Sequence, residues 1–179
     1  MRKKRTIVGL LLALLLLVAA CAPAGDGADL GALDALDLTG ERVDASIFKE
    51  HKLTMVNIWA TYCSPCISEM PTLGELNDAY AGQGFQVIGI VTDVLNRDGS
   101  LSMGQLQQAR QIISATGADY RHLLPSESLD AAKLNAVSAV PETFFVNQAG
   151  RQVGPSYLGA RDKAAWQAII EEMLAGDIE

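Results

Sequence analysis

Cys63 and Cys66, in the run Trp59-Ala60-Thr61-Tyr62-Cys63-Ser64-Pro65-Cys66, are two of only three cysteines in a chain of 179 residues. Two thiols at this spacing fit three kinds of chemistry: a structural staple, half of a metal centre, or a reversible dithiol–disulfide couple. A staple closing so small a loop restrains little of the unfolded chain, because that benefit grows with loop length. A structural zinc site takes four protein ligands, normally from paired knuckles. Beyond this pair the chain offers Cys21 and two histidines, His51 and His122, at unrelated spacings. No metal or cofactor is expected, and a redox couple is the chemistry that the surroundings favour.

Those surroundings are a strand followed by a helix. Leu53 to Ala60 is a short apolar run rich in strand formers, as a strand buried on both faces is. A helix is expected from about Cys63 to Tyr80, with Leu73, Leu76 and Tyr80 on one face and Gly82 and Gly84 ending it. Cys63 then falls at the helix N-terminus, where unpaired N–H groups and the helix dipole favour an anion. A thiolate there has a lowered pKa, and the thiolate is the reactive form. Cys66, one turn further in, is placed to resolve a mixed disulfide formed by Cys63. Pro65 stands in the first turn, where its missing N–H costs little. Pro71 is awkward inside the same helix and should kink it.

Phe85 to Thr92 reads as a second buried strand, so strand, helix and strand form a parallel crossover. Before it, Leu33–Leu38 and Arg42–Val43 flank Thr39-Gly40 as a small hairpin. After it come a helix over Ser102–Thr116 capped by Gly117, a strand over Ala118–Leu124 and a short helix over Leu129–Asn135. Thr143–Val146 and Gln152–Tyr157 bracket a turn at 147–150 as an antiparallel hairpin. A closing helix carries Trp166, Ile169, Ile170, Met173 and Leu174 on one stripe. The expectation is an α/β domain over 33–179 with a mixed sheet. Met103, Trp166 and Met173 read as core, and His51 and His122 as structural or surface residues.

The first twenty residues are different in kind. Arg2, Lys3, Lys4 and Arg5 precede an uncharged, leucine-rich run that is short for a bilayer span, which reads as an export signal over 1–20. It ends Leu17-Val18-Ala19-Ala20-Cys21, which resembles the lipobox of bacterial lipoproteins, with Cys21 the acylated residue; an uncleaved signal anchor is the alternative. Either way the domain is expected outside the cytoplasm and attached to a membrane. Residues 21–32 read as a flexible tether. Without the four leader cations the chain carries ten basic residues against 21 acidic ones, a net charge of −11. Such a surface repels nucleic acid, which is not expected as a partner.

The run Trp59 to Cys66, followed by Glu69 and Pro71, resembles the thioredoxin superfamily, and within it the membrane-attached TlpA/ResA-like thiol-disulfide oxidoreductases. Val137-Ser138-Ala139-Val140-Pro141 and the following Glu142 to Val146 match that family's second motif. The resemblance covers roughly Leu33 to Leu174. It implies a thioredoxin-like fold with an extra segment after the second core strand, at about Asp93 to His122. It implies that Pro141 is cis and faces the cysteines, that Trp59, Pro65, Val140 and Pro141 contact substrate, and that Glu69 lies beneath the thiols and raises their pKa or relays the proton of Cys66. An aromatic ending a buried strand is more often core, so Trp59 is read as core as well as wall. Tyr62 departs from the family's usual Trp. Glu142, where Thr is frequent, is expected to point to solvent.

The function so implied is a membrane-anchored, extracytoplasmic reductase of disulfides in partner proteins, with apocytochrome c or a methionine sulfoxide reductase as recipients and a membrane thiol-relay protein as electron donor. A dithiol oxidase of exported proteins is an alternative. So is a peroxidase, although Ala60 stands where peroxiredoxins place a Thr. A non-catalytic lipoprotein that binds a partner is the third.

Overall fold

The computed structural model describes residues 27–176; the expected leader and Cys21 lie outside them. In chain order the elements are β1 (Asp34–Leu36), β2 (Arg42–Asp44), β3 (Leu53–Trp59), α1 (Ser64–Tyr80), β4 (Phe85–Val91), α2 (Met103–Thr116), β5 (Arg121–Leu123), α3 (Glu127–Ala132), β6 (Glu142–Val146), β7 (Gln152–Leu158) and α4 (Lys163–Ala175). Strands β1 and β2 form the expected antiparallel hairpin. The main sheet runs β5-β4-β3-β6-β7. Strands β3, β4 and β5 are parallel, β6 pairs antiparallel with β3, and β7 pairs antiparallel with β6 at the edge. Among the described residues no helix is long and apolar enough to cross a membrane.

All seven residues of β3 are buried, as its mostly apolar sequence suits a central strand covered on both faces, and the buried Asn57 amide donates to the Thr143 hydroxyl of β6. Alternation along it feeds two cores. Leu53, Met55 and Trp59 join Phe145 of β6, Leu73 and Leu76 of α1 and Trp166 and Ile170 of α4. Val56 and Ile58 join Phe144 and Val146 of β6, Phe48, and the N-terminal residues Leu30, Leu33 and Val43.

Several expectations are corrected in detail. The tether does not extend to residue 32: Ala28 and Leu30 are buried, Gln152 N–H donates to Ala28 O at 2.8 Å, and Leu30 N–H donates to Gly150 O at 2.8 Å. The small residues there are packed against the chain entering β7. Met103 is exposed, not core, because the buried stripe of α2 begins one turn later at Leu106. The third parallel strand is only three residues long, and the short helix begins at Glu127 because Ser126 caps it, its hydroxyl accepting from Leu129 N–H. Pro71, as expected, sits inside α1 without ending it.

His122 is structural in a specific way. Trp59 Nε1–H donates to its Nδ1 at 3.1 Å, which leaves Nε2 to donate to Ala118 O at 3.0 Å, and Tyr120 stacks on the ring. Gly89, opposite His122 in the β4–β5 register, makes room for it: a Cβ there would lie 2.1 Å from Nδ1. Burial is the main reason the imidazole pKa falls from 6.5 to about 4. With the folded pKa depressed, the unfolded chain binds more protons between those values. Stability is therefore complete above about pH 6.5 and is lost as pH falls towards 4, by about 3 kcal/mol from this residue. Urea unfolding at pH 7 and pH 4.5 is expected to show that loss in the wild type and not in His122→Gln; equal pH dependence in both proteins would contradict it.

Candidate active site

The dithiol stands where β3 gives way to α1. Thr92 N–H donates to Trp59 O at 2.9 Å, and Cys63 N–H donates to Ala60 O at 3.0 Å, closing a tight turn. Asp93, just past β4, pins that turn: it accepts from Thr61 N–H at 3.0 Å and from the Thr61 hydroxyl at 2.6 Å. Gln105 of α2 donates to the same Asp93 carboxylate at 3.1 Å and to the Thr61 hydroxyl at 3.2 Å. The segment after the second core strand thus braces the residues that lead into Cys63.

Cys63 is the N-cap of α1, and its sulfur accepts the Cys66 N–H at 3.2 Å. The two sulfurs are joined as a disulfide across Cα atoms 5.3 Å apart. Cys63 is 6% exposed and Cys66 only 1%. An anion on Cys63 would keep that N–H bond and the favourable end of the helix dipole, whereas Cys66 is shielded within the first turn. Pro65 is exposed beside them.

Val140–Pro141 is a cis peptide bond. Val140 and Tyr62 line one cavity of about 350 Å³ together with Leu95 and Pro125, so the proline loop and the cysteine turn share a groove. Tyr62 is 73% exposed there. Trp59 does not belong to the substrate surface. Its ring is fully buried, with its N–H spent on His122, because residue 59 is the last of a strand covered on both faces.

Glu69, one turn beyond Cys66, is buried. Its Oε1 accepts Arg161 N–H at 2.7 Å and Trp166 Nε1–H at 2.7 Å, while Oε2 has no partner within the protein. Desolvation raises its pKa, against the lowering effect of those two donors and of the Arg161 charge. The Tyr120 hydroxyl is likewise buried without a partner, and burial and then the Glu69 charge push its pKa up.

Glu142 does not point to solvent. It is buried and paired with Lys133 Nζ at 2.5 Å, and that ammonium also lies 5.2 Å from the Phe144 ring centroid. All five residues of β6 are buried, so the strand has no open face on which a carboxylate could be solvated. Asp93, Gln105, Lys133 and Arg161 all support the site and were not singled out from sequence. Asp93 and Gln105 act across 32 and 44 residues on Thr61, and Arg161 reaches Glu69 through its backbone, which side-chain type does not report.

The fold and the helix-capping dithiol define a thioredoxin-like protein, and comparisons place it more closely. The model of the Redoxin family matches residues 22–163, and the chain belongs to that family. ResA, a thiol-disulfide oxidoreductase of Bacillus thuringiensis subsp. konkukian, is 37% identical over 57 residues, 32% of this chain and 32% of ResA. The thiol:disulfide interchange protein HelX of Rhodobacter capsulatus is 29% identical over 128 residues, 72% of this chain and 64% of HelX. The matches therefore span from about a third to under two thirds of these relatives' lengths. A thioredoxin family thiol:disulfide interchange protein of Chlorobium tepidum has the same fold, with a TM-score of 0.66 and 20% identity over 83% of this chain and 97% of that one.

Two outcomes follow from the buried charges. Because the folded pKa of Glu69 is raised, its favourable contribution is complete only below its unfolded value near 4.5 and is lost as pH rises through the folded pKa. Glu69→Gln, which keeps an oxygen for both donors, is expected to gain stability relative to wild type as pH rises from 5 to 8; a constant difference across that range in chemical denaturation would refute the assignment. Lys133→Met strands a buried carboxylate and should cost about 3 kcal/mol, most of it recovered in Lys133→Met/Glu142→Gln. Additive losses in the double variant would show that the two side chains are not coupled.

Proposed function

We propose that this protein is an extracytoplasmic thiol-disulfide oxidoreductase that reduces disulfides in partner proteins through Cys63 and Cys66. One observation carries the reading: Cys63 sulfur caps α1 and accepts the Cys66 N–H, with Cys66 buried directly behind it. That geometry favours a thiolate on the outer sulfur and keeps the resolving thiol away from competitors. The similarity to ResA and HelX supports the same chemistry.

In the reducing direction, Cys63 thiolate attacks one sulfur of the partner's disulfide. A Cys63–partner bond forms, the partner's own S–S bond breaks, and its other sulfur leaves as a thiolate. Cys66 then gives up its proton and attacks Cys63 sulfur, which forms the Cys63–Cys66 disulfide and releases the second partner thiolate. The partner has gained two electrons and this protein has lost two. Glu69, a buried carboxylate one turn beyond Cys66 with a raised pKa and an unpartnered oxygen, is suited to receive the Cys66 proton. Val140, which precedes cis-Pro141, and Tyr62 line the groove in which the partner's cysteine segment lies.

The leader supports an extracytoplasmic location, with Cys21 as the point of lipid attachment and the membrane holding the domain near a thiol-relay donor. Oxidised exported polypeptides are the recipients, apocytochrome c or a methionine sulfoxide reductase among them. Reduced protein should reduce insulin disulfides, and Cys63→Ser should abolish this. Cys66→Ser should accumulate a mixed disulfide with the partner. Equilibration with glutathione tests direction: a reduction potential above about −150 mV would make the protein an oxidant and overturn the reductase reading.

A further inference from the structure

Among the described residues six large apolar side chains are exposed, and four of them gather along one line: Tyr62 at 73%, Leu95 at 36%, Leu101 at 40% and Leu36 at 44%. The cavity beside the dithiol, lined by Tyr62 and Val140, ends at Leu95 and Pro125. Those same two residues begin a second, larger cavity of about 640 Å³, walled by Leu36 of the N-terminal hairpin, Leu101 and Leu124. The two cavities therefore form one trough leading from the cysteines to the hairpin.

The far half of the trough is built on tied backbone. Leu95 and Leu101 pair across a turn in which Asn96 N–H donates to Ser100 O at 2.8 Å. Leu124 N–H donates to Leu36 O at 2.8 Å, and Ser128 hydroxyl bridges the backbone N–H and C=O of Asp34, each at 2.9 Å. Hairpin, turn and α3 are thus held together, and an apolar group entering between them meets a preformed surface. Charge selects further. Asp34 is neutralised by Arg42, which grips it through two bonds of 2.8 Å, whereas Glu127 and Asp130 have no ion-pair partner among the described residues. Two copies of this acidic chain would bring those carboxylates against like charge, while a basic segment would complement them.

We propose that this second cavity is a docking subsite for the client polypeptide, taking an apolar side chain next to basic residues at a distance in sequence from the client's reacting cysteine. The inference rests on the dithiol reading for its choice of occupant: a chain whose cysteine has reached Cys63 must run off along the surface, and the trough starts there. The subsite makes the protein select oxidised clients that are unfolded, apolar and basic over small disulfides.

The test uses a fluorescein-labelled peptide in which leucine and lysine are set at increasing spacing from a glutathione-capped cysteine, a serine version of it, and glutathione disulfide. Leu36→Ser/Leu101→Ser, both at exposed positions, is compared with wild type, and Leu36→Ala/Leu101→Ala replaces it should thermal unfolding show damage. Expected are a severalfold weaker binding of the serine peptide, a matching rise in KM for the capped peptide with kcat unchanged, and an unaltered rate with glutathione disulfide. The effect should appear at one range of spacings, and Glu127→Gln/Asp130→Asn should weaken binding of the lysine peptide and its salt dependence. Equal effects on peptide and glutathione disulfide, no effect on peptide binding, or a wild-type dimer that the leucine substitutions dissociate would each overturn the subsite. Weakened binding of the serine peptide without any disulfide reduction by wild type would uphold the subsite and refute the oxidoreductase reading instead.

Discussion

The burial of β3 on both faces is the constraint on which the rest of the molecule depends. A strand with parallel β4 on one side and antiparallel β6 on the other has a single permitted register, since a slip by one residue would exchange its two cores. That register decides where the chain leaves the sheet, and hence where Cys63 meets the first turn of α1. It also aligns the neighbours: β4 delivers Asp93 to the turn before the cysteines, and β6 begins directly after cis-Pro141. The reactive pair is therefore placed by ordinary packing, with local hydrogen bonds making the final adjustment.

Three buried polar pairings lie around that placement, and each joins residues from different elements. Trp59 and His122 satisfy each other between β3 and β5. Glu142 and Lys133 do so at the start of β6, and Glu69 takes donors from Arg161 and Trp166. Leaving such a group unpaired costs about 1–3 kcal/mol or more, so each pairing penalises alternative arrangements of its elements more than it stabilises this one. Among these, Glu69 is only half satisfied, with one oxygen unpartnered inside the protein. An imperfectly satisfied buried carboxylate is poor for stability, which is in keeping with the proton-accepting role proposed for it.

Much of this was legible in the chain itself. The apolar run of β3, the cysteines at a helix start and the second motif ending in Pro141 located the fold and the thiols, and the resemblance to the TlpA/ResA-like proteins implied the cis bond and the burial of Glu69. What escaped were interactions whose signal is not in residue type. Arg161 contributes a backbone N–H, and its guanidinium lies over Tyr157 and Trp166 at 4.8 and 5.2 Å. Glu142 was misjudged because a carboxylate reads as solvated, yet it stands on a strand without an open face; of the two roles read for Trp59, wall of the site and core residue, only the core role is found, for the same reason. Leu36 and Leu101, unremarkable in sequence, become neighbours of one cavity only through the fold.

The N-terminal segment has a wider significance than the small hairpin that was read from it. Residues 28–30 bond to the outer side of the chain at the start of β7, and residues 36–38 bond to the outer side of β5. One stretch of eleven residues thus crosses from one margin of the sheet to the other and occupies unpaired backbone at both. Of the remaining margin, β7 carries Gly154 and Pro155, and a proline offers no N–H to an incoming strand. A chain clipped before residue 39 would present two open ladders at once, and self-association through them would compete with refolding.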